Sequence, residues 1–208
     1  MTDLYRVFPF LSEARPGAPG GALYVPPQGG SRLDNPDLYS VFYASDAEAG
    51  ALAEAFGRFP EWTPSILDGS PSLPGSSRAI AHYRLDDTAV ICDLDDPAQL
   101  IALGLRPSDV VNRDYSRTRE WARQIYRQGK WKGVRWWSYY DPRWSTFGLW
   151  EINALLLIDV RPLRLEDATI AEAARTICRR ISRRQIIRWP RTFPSCPWAG
   201  RGDIGRWW

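Results

Sequence analysis

The spacing of apolar residues changes several times along the chain, and each change marks an element. From Leu4 to Phe10 apolar and polar positions alternate, which predicts a first strand carrying Arg6. Residues Arg15 to Gln28, rich in Pro and Gly, predict an irregular loop. The next stretch, GGSRLDNPDLYSVFYASDAEAGALAE from Gly29 to Glu54, holds three elements. A Gly-rich loop ends in Arg32, and Asn35 and Pro36 close the turn. The β-formers Val41 to Ala44 predict a strand. Ser45 followed by Glu48 is a capping-box signature for a helix start. Leu52 and Phe56 form the buried stripe of that helix, and Gly57 is its stop. Arg58 to Ser77 reads as a second long loop, of the kind that forms lids or entry walls.

Arg78 to Leu85 alternates again, with Ala79, Ala81, Tyr83 and Leu85 on one face. Thr88 to Leu94 predicts a strand buried on both sides. Asp95 or Asp96 caps a short helix over Ala98 to Leu103, with Pro97 at its first position and Gly104 ending it. Residues 112 to 129 carry the clearest helical pattern: Asp114 or Ser116 caps it, Trp121, Ala122 and Ile125 face inward, and Gly129 stops it. Val134 to Trp137 predicts a strand with Ser138 at its end. Phe147 to Trp150 and Ala154 to Val160 predict two more, and Arg161 to Glu166 continues the sheet. Thr169 with Glu172 is a second capping box, for a helix running to Ile186 with Ile170, Ala174, Ile177 and Ile181 inside. Its surface carries Arg175, Arg179, Arg180, Arg183 and Arg184, with Arg188 beyond. Residues 189 to 208 show no period.

Composition narrows the classes. With 208 residues and 44% hydrophobic positions, the chain supports one domain with a substantial core. No apolar run reaches membrane-spanning length and MTDLYRVFPF is no signal peptide, so a cytoplasmic protein is expected. Cys92, Cys178 and Cys196, an odd and widely spaced set, read as reduced thiols. With a single His, His82, and no CxxC pair, no metal site is expected. A net charge of +3 gives no general argument for nucleic acid, although the late Arg cluster suits a phosphate backbone, an acidic partner or a solvated face. The 11 Trp and 9 Tyr are a supply of aromatic surface for a core or for planar ligands.

Glu54 is the residue of most chemical interest. At helical spacing it shares a face with Ala47, Gly50 and Ala51, all small. A Gly inside a helix implies close approach by something. Two readings stay open on local grounds: a pocket-wall carboxylate, or a solvated Glu on an Ala-rich helix. Likewise Tyr43 suits a core aromatic, Ser138 a strand terminus, and Arg6 either a cleft or the surface.

The fragments together resemble the RES domain family. They are LYRVF at 4–8, GSRLDNP at 30–36, SVFYASDAEAGALAE at 40–54, and the helix from Asp114 leading into GVRWWS at 133–138. The resemblance spans residues 4 to 160. Leu33 stands where an aromatic is usual, and Trp136 and Trp137 where a Tyr-Pro pair is common. The resemblance implies an α+β fold, an ADP-ribosyltransferase-like mixed sheet core flanked by helices. It treats 1–208 as one domain with 161–208 as a C-terminal helix and aromatic tail. It also implies a toxin of a toxin–antitoxin pair that consumes NAD as substrate, with no prosthetic group. Nicotinamide would be released and the ADP-ribosyl group passed to inorganic phosphate, to water or to a protein. The partner would be a helix-turn-helix (Xre-type) antitoxin. By this resemblance Glu54 stabilises the sugar cation, and Arg32, helped by Arg6, holds the cofactor phosphates. Tyr43 contacts the nicotinamide ribose, and Ser138 bonds the ribose or carboxamide. A non-enzymatic nucleic-acid binder is the more distant alternative.

Overall fold

A computed structural model describes residues 1–183. Arg184, Arg188, Cys196 and the 189–208 stretch lie outside the described residues. The strands are β1 (Thr2–Phe10), β2 (Phe42–Ser45), β3 (Glu61–Trp62), β4 (Ser77–Leu85), β5 (Ile91–Asp93), β6 (Gly133–Trp137), β7 (Ser145–Leu149), β8 (Leu155–Pro162) and β9 (Arg180–Ile181). The helices are α1 (Glu48–Phe56), α2 (Pro97–Ala102), α3 (Pro107–Val110), α4 (Tyr115–Arg127) and α5 (Ala168–Thr176), with a 3-10 turn at Pro64–Leu67. Seven strands form one mixed sheet in the order β5-β6-β7-β2-β1-β4-β8, and β3 pairs with β9 in a small parallel ladder. Every pair in the large sheet is antiparallel except β5 with β6. The architecture is the α+β mixed sheet with flanking helices that the sequence implies.

Alternation places the core. Ala79, Ala81, Tyr83 and Leu85 all point to one buried face with Leu4, Phe8 and Phe42. On the other face α1 and α5 pack together over Ile80, burying Leu52, Phe56 and Ile170. A third cluster joins α4 to β6 through Trp121, Ala122, Ile125, Val134 and Trp136. Leu33 belongs to it: fully buried, it lies where a Cβ on Gly148 would be only 2.3 Å from its Cδ1. The unusual Leu and Trp136 therefore fill core beneath the loop.

One feature of the sheet shapes everything nearby. β1 is nine residues long and β2 four, yet they share a single register pair, Tyr5↔Ser45. Beyond it the two strands part, and Tyr5 to Pro9 on one side and Tyr43 to Ser45 on the other line a cavity of about 1370 Å³.

Several local expectations are corrected. Ser45 does not cap α1: it ends β2 and its hydroxyl donates to Ser145 O (3.0 Å), while Glu48 accepts from Arg161 Nη2 (2.6 Å). Sheet pairing outcompetes the local cap. Gly57 does end α1, but in right-handed geometry (φ −60°), and it is small because Tyr140 leaves no room, a Cβ there lying 2.4 Å from its ring. The β5 strand is shorter than expected, and α3 lies in a segment without a readable period. The second capping box does not form, since Thr169 Oγ1 accepts from Arg161 (3.3 Å). α5 stops at Thr176, ten residues before Ile186, and the chain turns through Cys178 at φ 54°. Arg179 then donates to Gly57 O (2.9 Å), and Arg180 and Ile181 enter β9. The expected continuous Arg face is thus broken: these residues do not share one helix. The caps at Asp96 (Ala98 N, 2.9 Å) and Asp114 (Ser116 N, 3.0 Å) form as read, with Gly104 and Gly129 at positive φ.

Gly50 does mark a close approach. A Cβ there would sit 2.3 Å from Ser45 Oγ and 3.2 Å from Trp144 Cβ. Gly50→Ala is expected to lower stability by about 1–3 kcal/mol in urea unfolding, because overpacking outweighs the gain in helix propensity. An unchanged or raised midpoint would show that β2 and Trp144 yield freely.

Candidate active site

Glu54 lies on the last turn of α1 and lines the cavity. Its carboxylate is half-buried. Ser138 Oγ donates to Glu54 Oε1 at 2.6 Å, and Ser138 itself is 2% exposed. Ser138 follows the last residue of β6. Its position is fixed by its own N–H, which donates to Trp144 O (2.7 Å), and by Tyr140 N, which donates to its hydroxyl (3.2 Å). The hydroxyl is therefore engaged in both directions and stands behind Glu54. Burial pushes the Glu54 carboxyl above its ordinary value. The Ser138 hydrogen bond, the positive charge of Arg32 and the nearby Thr146 hydroxyl pull the other way. Thr146 Oγ1 lines the cavity too and is buried without a well-formed hydrogen bond of its own among the described residues.

Arg32 is held by the helices beyond the sheet. Its Nη1 donates to Val110 O at the end of α3, and its guanidinium centre lies 5.9 Å from the Tyr115 ring centroid. The loop that carries it is tied down on both sides. Asp34, 3% exposed, accepts from Gly29 N (2.9 Å), Ser31 N (2.7 Å) and Tyr43 OH (2.8 Å). From α4, Thr118 Oγ1 donates to Arg32 O (2.7 Å) and Arg119 Nε to Ser31 O (3.0 Å). Burial lowers the Arg32 pKa, while Tyr115, Glu54 and Tyr43 favour its charged form in that order.

Tyr43 lines the cavity, and its hydroxyl also accepts from Leu33 N (3.1 Å). Burial and the Asp34 carboxylate push that hydroxyl far above its ordinary pKa, so it stays a donor. Arg6 lines the same cavity where β1 leaves β2. Its Nη1 donates to Tyr24 O (2.9 Å) and its guanidinium centre lies 4.4 Å from the Phe42 ring centroid. Burial lowers its pKa. Arg6, Tyr43 and Glu54 thus line one cavity, whereas Arg32 and Ser138 do not line it: Ser138 reaches the site through its hydrogen bond to Glu54, and Arg32 through its charge. Thr146 and Asp34 were not singled out from the sequence. Thr146 had a signal: Ser145 and Thr146 are polar positions at the start of an otherwise apolar strand. His82 is elsewhere, bonded to Asp3 (2.8 Å) and stacked on Tyr5. Among the described residues no group of three or more His, Cys, Asp or Glu is gathered as metal ligands would be, and no helix is long and apolar enough to cross a membrane.

A carboxylate kept in this setting weakens the fold at neutral pH. Its folded-state pKa is raised, so its contribution to stability is fully present below the unfolded value and is lost as pH rises through the folded one. Glu54→Gln is expected to melt at a higher temperature than the native chain at pH 7. The difference should shrink as pH falls into the ordinary carboxylate range. A variant that melts lower at pH 7 would mean that attraction to Arg32 outweighs desolvation.

The chain resembles, in fold, a chain of the M. tuberculosis MbcT–MbcA toxin–antitoxin complex, with a TM-score of 0.55 and 15% identity, covering 85% of this chain and 89% of that one. No curated protein matches the sequence. The RES domain model matches residues 3–169, which include β1, the Arg32 loop, α1, α4, the end of β6 and all of β7 and β8. The chain belongs to the RES domain family.

Proposed function

We propose that this protein is an NAD-degrading enzyme that breaks the bond between nicotinamide and ribose, acting as the toxin of a toxin–antitoxin pair. The observation that carries the chemistry is the half-buried Glu54 carboxylate on the cavity wall, oriented by Ser138 and lying in the field of Arg32. When the C1′–N1 bond breaks, its electron pair goes to the pyridinium nitrogen, and nicotinamide leaves neutral. Positive charge then develops on the sugar, as in glycoside hydrolysis. A fixed carboxylate beside that carbon lowers the barrier, and it acts more strongly where water is excluded. The leaving group needs no strong acid, which suits a site with no His.

Arg32 and Arg6 bind the two phosphates. The planar fork of Arg suits them, and neither guanidinium is in an ion pair with a carboxylate among the described residues. Tyr43 contributes its ring to the ribose while its hydroxyl secures the Arg32 loop through Asp34. Ser138 works on Glu54, holding one oxygen so that the other faces the sugar. Thr146 offers a hydroxyl to the ribose. The acceptor is inorganic phosphate or water, and a protein acceptor would use the same donor chemistry. The partner is a cognate antitoxin, which the fold likeness to a chain of a toxin–antitoxin complex supports, and of the helix-turn-helix type that the family resemblance implies.

Purified protein incubated with NAD, with and without phosphate, is expected to release nicotinamide, and the second product identifies the acceptor. Glu54→Gln should reduce that rate by about 10²–10³-fold or more while keeping the fold. Full turnover by that variant ends the catalytic assignment. Arg32→Ala should weaken NAD binding roughly 10- to 100-fold, the worth of a charged hydrogen bond; unchanged affinity counts against its phosphate role. Because the carboxylate must be ionised, activity should fall at acid pH with a midpoint above that of an ordinary Glu. Ser138→Ala removes a bond to the charged form and should move that midpoint further up. An acid limb that stays in place would separate Ser138 from Glu54.

A further inference from the structure

The cavity has a second cationic wall that the chemistry above does not use. The chain leaving α1 forms it, together with the start of β4. Arg58 lies four residues beyond Glu54, and Arg78 is on the face of β4 that carries Ile80, beneath α1. Both line the cavity. Arg78 donates through Nε to Asp68 O (3.2 Å), which anchors the guanidinium by one edge. Arg58 lies over the Phe59 ring, 4.7 Å from its centroid. Glu61 and Asp68 are the carboxylates of the same loop, and among the described residues neither forms an ion pair with Arg58 or Arg78. The two cations also feel one another, since Arg58 adds to burial in lowering the Arg78 pKa. Ser70 and Ser72, hydrogen-bonded to each other at 2.7 Å, bring hydroxyl donors to the same wall. Two guanidinium groups lining one concave surface, neither of them in an ion pair among the described residues, repel until an anion joins them.

We propose that Arg58 and Arg78 form a second phosphate-binding subsite in this cavity, separate from the one assigned to Arg32 and Arg6. Its ligand is a phosphate group with two or more free oxygens, which two Arg forks and the Ser70 and Ser72 hydroxyls match better than they match a carboxylate. The cavity has room for it. At about 1370 Å³ it exceeds the roughly 300–1,000 Å³ that a single drug-sized ligand fills. That phosphate is either free orthophosphate or an extra phosphate carried by the dinucleotide. The inference shares its cavity with the proposed NAD reaction, but its binding test does not need turnover.

The test is calorimetric titration of the full chain at constant ionic strength with orthophosphate, and of the Glu54→Gln chain with NAD and with its 2′-phosphorylated form, NADP. If orthophosphate is the ligand, it binds saturably. Arg58→Gln/Arg78→Gln then weakens it by about tenfold or more, and Arg32→Gln leaves it bound. If the phosphate is carried by the dinucleotide, NADP binds about tenfold tighter than NAD and the double variant removes that preference. Arg78→Lys, which keeps charge but loses the fork, should fall between. Arg58→Gln, at an exposed position, reports alone if the double variant does not fold. The proposal is overturned if orthophosphate binds equally to native and double-variant chains. It is also overturned if no orthophosphate binds and NAD and NADP bind alike. Orthophosphate binding without nicotinamide release would leave the subsite standing and remove the NAD reading.

Discussion

The site depends on one short, partly buried hydrogen bond, 2.6 Å long, from the Ser138 hydroxyl to the Glu54 carboxylate. It joins the end of β6 to the last turn of α1, two elements 84 residues apart. Burying a carboxylate is unfavourable unless its oxygens are satisfied and a cation is near. Ser138, Thr146 and Arg32 supply that compensation only in part, since the Glu54 pKa stays raised. A cavity-lining carboxyl whose pKa is raised by burial is the pattern that points to a functional site.

The rest of the fold can be read as the means of bringing Arg32 to that carboxylate and leaving space in front of it. The parting of β1 from β2 after one register pair opens the space, and the unpaired stretch of each strand becomes its wall. The Gly29–Asp34 loop is held from inside by Asp34 and Tyr43 and from outside by α4 through Thr118 and Arg119. Loosening either side would move the cation that the proposed reaction sets against a phosphate, where a shift of about 1 Å is costly. Arg58, beyond α1, and Arg78, on β4, line the same cavity and extend it toward the second anion proposed above.

Much of this was legible in the sequence. The alternation at Ala79 to Leu85, the Asp96 and Asp114 caps, and Trp121, Ala122 and Ile125 all fold as read, because each is a local signal that tertiary packing agrees with. The two capping boxes failed for one common reason: Arg161 draws both Glu48 and Thr169 to itself, and Ser45 answers to β7. The length of the last helix was misread because its apolar stripe continues past Thr176, whereas Arg179 docks on Gly57 O and turns the chain. Glu54 could not be placed from its helix alone. Its burial is decided by Ser138 and Thr146, which the sequence separates from it by more than ninety residues in the second case and the fold brings together. Ordered fragments resembling the RES family, rather than any single spacing, gathered Arg32, Glu54 and Ser138 in advance.

The most direct test is a crystal structure of the Glu54→Gln chain with NAD. The account requires the nicotinamide ribose to sit in the cavity with its C1′ roughly 3–3.5 Å from the residue 54 side chain, the separation expected of groups poised to interact in the transition state. The two phosphates should lie on Arg32 and Arg6. NAD bound with its sugar away from residue 54, or outside the space between β1 and β2, would contradict the account.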